Sequence, residues 1–340
     1  NAVDAKARGA EILTQTRCTS LTRHTDHWEA VLETSGETHT RQFKAVVNAA
    51  GAWVDDILDL DSNQPDVTHL RLVKGSHIIV PRWHEGDHAY FFQNGDGRIM
   101  FAIPYERGEF TLIGTTDVPY DADRDKVEIT QDEIEYLCDG ASEYYKVPVT
   151  PADVAATYSG VRPLYDDHAA NASKVTRDYV LKLDDGAGAP ILSVFGGKIT
   201  TYRELAEDAM ATLAGIFSET APDWTQTASL PGGDIPDADF SSFLGELLRE
   251  YAALDPALIE RLARAYGTRV RLLLGKAESE AGLGRAFGAG LFEAEVNYLV
   301  ESEFARSAED ILWRRSKLGL HMSENERRAF ADWFAEHYGA

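Results

Sequence analysis

The stretch ILSVFGGKITTYRELAED, residues 191–208, decides the fold. Ile191, Leu192, Val194 and Phe195 make a short apolar run ending at Gly196 and Gly197, which suits a strand covered on both faces. After Lys198 the period changes: Tyr202, Leu205, Ala206, Ala209, Leu213 and Phe217 share one helical face. A strand, a paired-glycine turn and a helix N-terminus can form an anion site, because unpaired N–H groups point outward and glycine permits close approach. Lys198 adds a full charge there. On this segment alone an ordinary βα turn with a solvated lysine is the simpler reading.

Outward from this stretch, 340 residues with 44% hydrophobic content suit two or three domains with a sizeable core. The net charge of −23 argues against nucleic acid as a partner and against charge-driven docking on anionic lipid. Cys18 and Cys138 are the only cysteines, so no disulfide framework is implied. No apolar run reaches the roughly 18 residues that span a membrane. The chain opens at Asn1 without a signal peptide, as expected of a segment that begins inside a longer protein.

A short helix is expected over 2–10, then strands over 11–16, 19–24, 28–34 and 39–47. The last runs into Asn48, Ala49, Ala50, Gly51, Ala52 and Trp53, a second turn of small residues where a ligand or packed backbone comes close. Strands over 70–80, 88–93, 98–104 and 109–115, joined by short turns, predict an antiparallel meander. Thr130 and Glu133 form a capping box, and the helix behind it presents Ile134, Leu137, Cys138, Ala141 and Tyr145 to that sheet. Strands return over 158–164 and 175–183. Past a turn-rich linker the pattern is helical over 240–254, 256–266, 269–275, 292–303, 309–313 and 324–338, the last with a capping box of its own. The expected domains are 1–69, a partial cofactor-binding domain; 70–155, an inserted antiparallel sheet; 156–222, the first domain resumed; and 223–340, helical.

No H-E-x-x-H, zinc-type cysteine spacing, G-x-S-x-G or G-x-G-x-x-G occurs; no metal site is expected. What stands out is cations beside glycine or proline at predicted strand ends in an acidic chain: His77 in KGSH, Arg162 in SGVRP, Arg177 in TRDY and Lys198 in GGK. Arginine grips phosphate through two parallel hydrogen bonds. Singly, each cation serves as well as a surface charge or ion pair; as a set they suggest an anionic ligand.

The ordered motifs NAAGAW (48–53), KGSH (74–77), IGTTD (113–117), SGVRPL (159–164), TRDY (176–179), VFGGKITTYR (194–203) and LWRR (312–315) resemble bacterial FAD-dependent respiratory glycerol-3-phosphate dehydrogenases over essentially the whole chain. The resemblance implies a mixed α/β FAD-dependent oxidoreductase fold, glutathione-reductase-like and D-amino-acid-oxidase-like, with an inserted antiparallel sheet domain and an all-α C-terminal domain. It implies oxidation of sn-glycerol 3-phosphate to dihydroxyacetone phosphate, with FAD as first acceptor and a quinone as second. By similarity His77 is the base or hydroxyl-positioning group. Arg162 and Arg177 hold the substrate and its phosphate. Lys198 sits by the flavin ring, where its charge stabilises the reduced form. Gly196, Gly197, Ile199 and Thr200 contact the flavin, and Ala50 and Gly51 flank the FAD. The resemblance implies a cytoplasmic protein, peripheral on the inner face of the cytoplasmic membrane, and is compatible with a homodimer.

Members of that family start with a glycine-rich fingerprint for the ADP half of FAD. This sequence lacks it, so the 340 residues alone are expected to bind FAD weakly or not at all and to be inactive, the missing N-terminal segment of the parent chain being a required partner. Two alternatives stay open: a related flavin oxidase acting on glycerol 3-phosphate or an amino acid, and a non-catalytic fragment. Paired arginines favour a phosphate over a carboxylate.

Overall fold

The computed structural model describes residues 1–61, 69–166, 178–186, 188–217 and 222–339. It divides into two compact units, one of residues 15–223 and one of residues 1–14 with 224–340. Helix α1 (Ala2–Ala7) opens the chain and belongs to the second unit.

The first unit begins with an antiparallel meander, β1 (Thr16–Arg23), β2 (Trp28–Thr34) and β3 (Glu37–Phe43). A single strand over 16–23 replaces the two expected over 11–16 and 19–24. Gln15 takes a positive φ of 53° and turns the chain just before it. The strand expected over 39–47 is likewise two: β3 ends at Phe43, and β4 (Val46–Asn48) joins another sheet. Helix α2 (Val54–Leu58) follows the NAAGAW turn.

The decisive stretch folds as read. β12 (Ile191–Gly196) pairs in parallel with β4 and antiparallel with β11 (Tyr179–Asp184). Its residues from Ile191 to Phe195 are all buried. Leu192 packs on Ala209 and Leu213 of the helix that follows, Tyr202–Leu213. Ile191 clusters instead with Trp28 and Leu21 of the meander, and Phe195 with Val54 and Leu70. Period-two alternation thus sends successive apolar side chains to opposite covered faces.

The inserted sheet is antiparallel, in the order β10 (Ala156–Tyr165), β5 (Leu70–Pro81), β8 (Phe110–Gly114), β7 (Ile99–Tyr105), β6 (Tyr90–Gln93), with β9 (Val118–Pro119) also on β5. Helix α3 (Gln131–Ser142) starts at the expected capping box, Thr130 N–H donating to Glu133 Oε2 at 2.9 Å. It covers one sheet face, Leu137, Cys138 and Ala141 packing on Ile78, Val80, Met100 and Ile113. The strand over 156–165 pairs along its whole length with β5. It therefore lies in the inserted sheet rather than in the resumed first domain. The helix after β12 is α4 (Tyr202–Leu213).

The second unit is helical: α5 (Phe240–Glu250), α6 (Pro256–Tyr266), α7 (Val270–Leu274), α8 (Glu293–Ser302) and α9 (Glu324–Tyr338). A small hairpin, β13 (Ala286–Gly288) and β14 (Leu291–Phe292), interrupts the helical pattern. The segment expected as a helix over 309–313 is a π-helix, Asp310–Arg315. Residues 1–14 group with this unit. Among the described residues no helix is long and apolar enough to cross a membrane.

Candidate active site

Sheet register brings the site together. Tyr158 of β10 stands opposite His77 of β5, Gly160 opposite Gly75, and Arg162 opposite Val73. On the other side of β5, Gly114 of β8 faces His77. Directly paired residues share a sheet face, so His77, Gly75, Arg162 and Gly114 lie on the face that α3 does not cover. His77 stacks on Tyr158 with ring centroids 4.6 Å apart. Gly114 is required by this packing: a Cβ there would run into the imidazole. Arg162 folds back over Gly75, where a Cβ would lie 2.5 Å from Nη2 and 2.7 Å from Cζ. The guanidinium is held by Asp117 (2.8 Å), by Thr115 Oγ1 (3.1 Å) and by the Thr116 carbonyl (3.4 Å).

Burial and the nearby Arg162 charge together lower the His77 pKa to about 4. Its Nδ1 is buried with no hydrogen-bond partner among the described residues. The imidazole is therefore neutral near pH 7, the form that can accept a proton.

Arg162 and Lys198 line one cleft of about 660 Å³ with Gly197, Ile199, Asp117 and Val73. The sequence set these cations in segments far apart, and β10 and the turn after β12 deliver them to one place. Gly196 (φ 66°) and Gly197 (φ 88°) both need the left-handed region that glycine enters freely. Gly51 (φ 56°) does the same after β4. Because β4 and β12 are parallel neighbours, both glycine turns leave from the same end of the sheet, the crevice where α/β sheets take cofactors. Buried Asn48 shapes the first turn, donating from Nδ2 to the Val54 carbonyl at 2.8 Å. Ala50 caps the short 3-10 turn Gly51–Trp53. Thr200 lies in the 3-10 turn Ile199–Thr201, exposed like Lys198 and Ile199. Arg177 falls outside the described residues.

A flavin ring fits these surroundings: a glycine turn at Gly51 with open space beside it, an exposed Ile199 for its apolar face, and Lys198 for the negative charge of its reduced form.

Three contributors were not singled out from the sequence. Gly75 seats Arg162, and Asp117 pairs with it; both stand inside quoted motifs, but only distance reveals their roles. Arg98 also lines the cleft, stacked 3.8 Å over Tyr136 and held by Asp96 at 2.6 Å. Its signal was a further cation at a strand start, after the Asp96-Gly97 turn.

Parallel strands with glycine turns, an inserted antiparallel sheet and a cationic cleft beside a neutral histidine define a flavin-dependent oxidoreductase. The chain belongs to the family of FAD dependent oxidoreductases, whose model matches residues 1–203; residues 224–339 match the C-terminal domain of alpha-glycerophosphate oxidase. It is 46% identical to the D-erythritol 1-phosphate dehydrogenase of Brucella abortus over 98% of this chain and 67% of that one. It is also 46% identical to the glycerol-3-phosphate dehydrogenase of Pseudomonas aeruginosa, over 96% of this chain and 64% of that one. With the aerobic glycerol-3-phosphate dehydrogenase of Escherichia coli it shares 42% identity over 99% of this chain and 68% of that one. The chain thus spans about two thirds of the length of these curated relatives. The solved glycerol-3-phosphate dehydrogenase of Bacillus halodurans, complexed with FAD, superposes with a TM-score of 0.83 at 29% identity, over 99% of this chain and 67% of that one.

Proposed function

We propose that this chain forms the substrate side of an enzyme that oxidises sn-glycerol 3-phosphate to dihydroxyacetone phosphate. The observation that carries the reading is the meeting of Arg162 and Lys198 at one cleft, with a neutral His77 beside Arg162. Arg162, joined by Arg177 in this reading, grips the phosphate and fixes the C2 hydroxyl toward His77. His77 takes the hydroxyl proton as the C2 hydride leaves, so the carbon loses two electrons and becomes a ketone. Bound FAD supplies the hydride acceptor. Lys198 steadies the negative charge that follows, and Gly196, Gly197, Ile199, Thr200, Ala50 and Gly51 shape the walls.

Electrons then pass to a quinone. The sheet face that carries His77 also exposes Phe91, Ile99, Phe101 and Ile103, an apolar surface suited to a lipid-soluble acceptor at a membrane. The protein is accordingly proposed to work in the cytoplasm, peripherally on the inner face of the cytoplasmic membrane.

A second reading takes D-erythritol 1-phosphate as the substrate, because the Brucella relative matches as well as the Pseudomonas one. Flavin reduction by sn-glycerol 3-phosphate, D-erythritol 1-phosphate and glycerol separates these readings when followed in the natively expressed enzyme, with a soluble quinone or oxygen as acceptor. The proposal expects fast reduction by glycerol 3-phosphate, almost none by glycerol, and reoxidation by the quinone. Faster turnover of the four-carbon phosphate moves the assignment to the second reading, and inertness toward both phosphates overturns both. A polypeptide of these 340 residues alone is expected to hold little FAD, since the sequence carries no G-x-G-x-x-G; stoichiometric flavin absorbance after purification refutes that expectation.

A further inference from the structure

Behind the cleft, the inserted sheet buries a second set of polar groups. Alternation along β5 points Gly75 and His77 toward the cleft and Lys74 and Ser76 toward α3. Lys74, Ser76, Thr116 and Glu133 are all buried, which is tolerated only where each finds partners. They find them around one carboxylate. Glu133 Oε2 pairs with Lys74 Nζ at 2.8 Å and accepts the Thr130 N–H at 2.9 Å. Glu133 Oε1 accepts Ser76 Oγ–H at 2.9 Å and Thr116 Oγ1–H at 2.8 Å. Thr116 Oγ1 in turn accepts the Ser76 N–H at 2.9 Å.

Capping α3 does not require this. The Ser323–Glu326 box of α9 does the same with an exposed glutamate. In α3 the second carboxylate oxygen goes to Thr116, and Thr116 lies between Thr115 and Asp117. All three residues bond the Arg162 guanidinium, through the Thr115 hydroxyl, the Thr116 carbonyl and the Asp117 carboxylate. Burial alone would raise the Glu133 pKa, but the bonds from Lys74, Thr130, Thr116 and Ser76 outweigh it and hold it at about 2. The group thus stays an ionised acceptor throughout the working pH range.

We propose that Glu133 is a positioning residue for substrate binding: through Thr116 it fixes the 115–117 segment, which sets the Arg162 guanidinium that grips the phosphate. This rests on the role given to Arg162 above. If Glu133 acts through Thr116, removing the Thr116 hydroxyl must matter to substrate binding only while Arg162 is present, and a double-mutant cycle between Thr116 and Arg162 tests that coupling.

The test uses the natively expressed holoenzyme with sn-glycerol 3-phosphate, comparing Thr116→Val, Arg162→Ala and the double variant. Thr116→Val is expected to raise KM about 5-fold or more with kcat within about 2-fold, and to add almost nothing once Arg162 is gone. Equal increments in both backgrounds overturn the inference and leave the role of Arg162 standing. An unchanged KM in Arg162→Ala overturns the Arg162 reading, and this inference with it. Should Thr116→Val not fold, Glu133→Gln and Glu133→Ala decide. Gln keeps an oxygen for the Ser76 and Thr116 hydroxyls, so its KM should fall between wild type and Ala. Equal KM values for Gln and Ala overturn the proposal.

Discussion

Gly75→Ala probes the site most directly, because its effect can be worked from geometry. The new Cβ would lie 2.5 Å from Arg162 Nη2 and 2.7 Å from both Cζ and Nη1. Carbon contacts relax near 3.5–4.0 Å, so the guanidinium must retreat by about 1 Å. Its hydrogen bonds to Asp117 and Thr115, now 2.8 and 3.1 Å, then stretch past useful length. The strand itself should not suffer, since the atoms that yield are the free end of a long side chain, and alanine in a strand is about 0.5–1 kcal/mol better than glycine. A guanidinium displaced this far gives up about one charge-assisted bond to the phosphate, about 1.5–3 kcal/mol, or roughly 10- to 150-fold in kcat/KM. The assay is steady-state kinetics with sn-glycerol 3-phosphate, beside thermal unfolding of the same preparation. A kcat/KM within about 2-fold of wild type, where Arg162→Ala is impaired, would show that the phosphate is not gripped from the seat over Gly75.

The free imidazole of His77 should titrate near pH 4 by NMR, and Arg162→Gln should raise that midpoint by removing the second of its two causes; a wild-type midpoint above 6 refutes the buried, charge-crowded placement. His77→Gln should lower kcat by about 10²- to 10⁴-fold with a smaller change in KM, and retention of wild-type kcat removes His77 as the base. Lys198→Met should make the flavin harder to reduce, because a positive charge beside the reduced ring is lost; an unchanged midpoint in a potentiometric titration removes Lys198 from the ring. Glu133 has a depressed pKa, so its stabilising effect is complete above its ordinary value of 4.5 and fades as pH falls toward about 2. The stability gap between wild type and Glu133→Gln should therefore close on acidification, and a gap that widens below pH 4 contradicts the network.

Much of this could be read from local sequence. β12 was legible because residues on both of its faces are apolar and its glycines stand at the point where the period changes. The α3 capping box was legible because Thr130 and Glu133 carry their instruction within one turn. What failed was allegiance. Nothing between Phe43 and Val46 marks a change of sheet, since Lys44 and Ala45 are neither glycine nor proline and extended backbone continues on both sides. Residues 156–165 announce a strand but not its neighbour, because pairing with β5 depends on residues about 80 positions earlier. The site divides the same way. Arg162 and Lys198 stood out as cations beside proline and glycine, yet the reason for Gly75 appears only when the guanidinium is seen lying over it.

The closeness of Arg162 to His77 has a consequence beyond grip. Burial opposes protonation of the imidazole, and the Arg162 guanidinium adds to the effect, so the resting base is neutral but weak. A phosphate dianion seated on Arg162 offsets the charge that opposes proton uptake. The imidazole therefore becomes a stronger base when a charged substrate occupies the site, at the step where its hydroxyl proton must leave. Glycerol brings no such charge and leaves His77 at its resting strength. In the proposed function one arginine thus distinguishes substrates twice, first by holding the phosphate and again by adjusting the strength of the base. That accounts for glycines at both Gly75 and Gly114: the first leaves room for the guanidinium and the second for the imidazole.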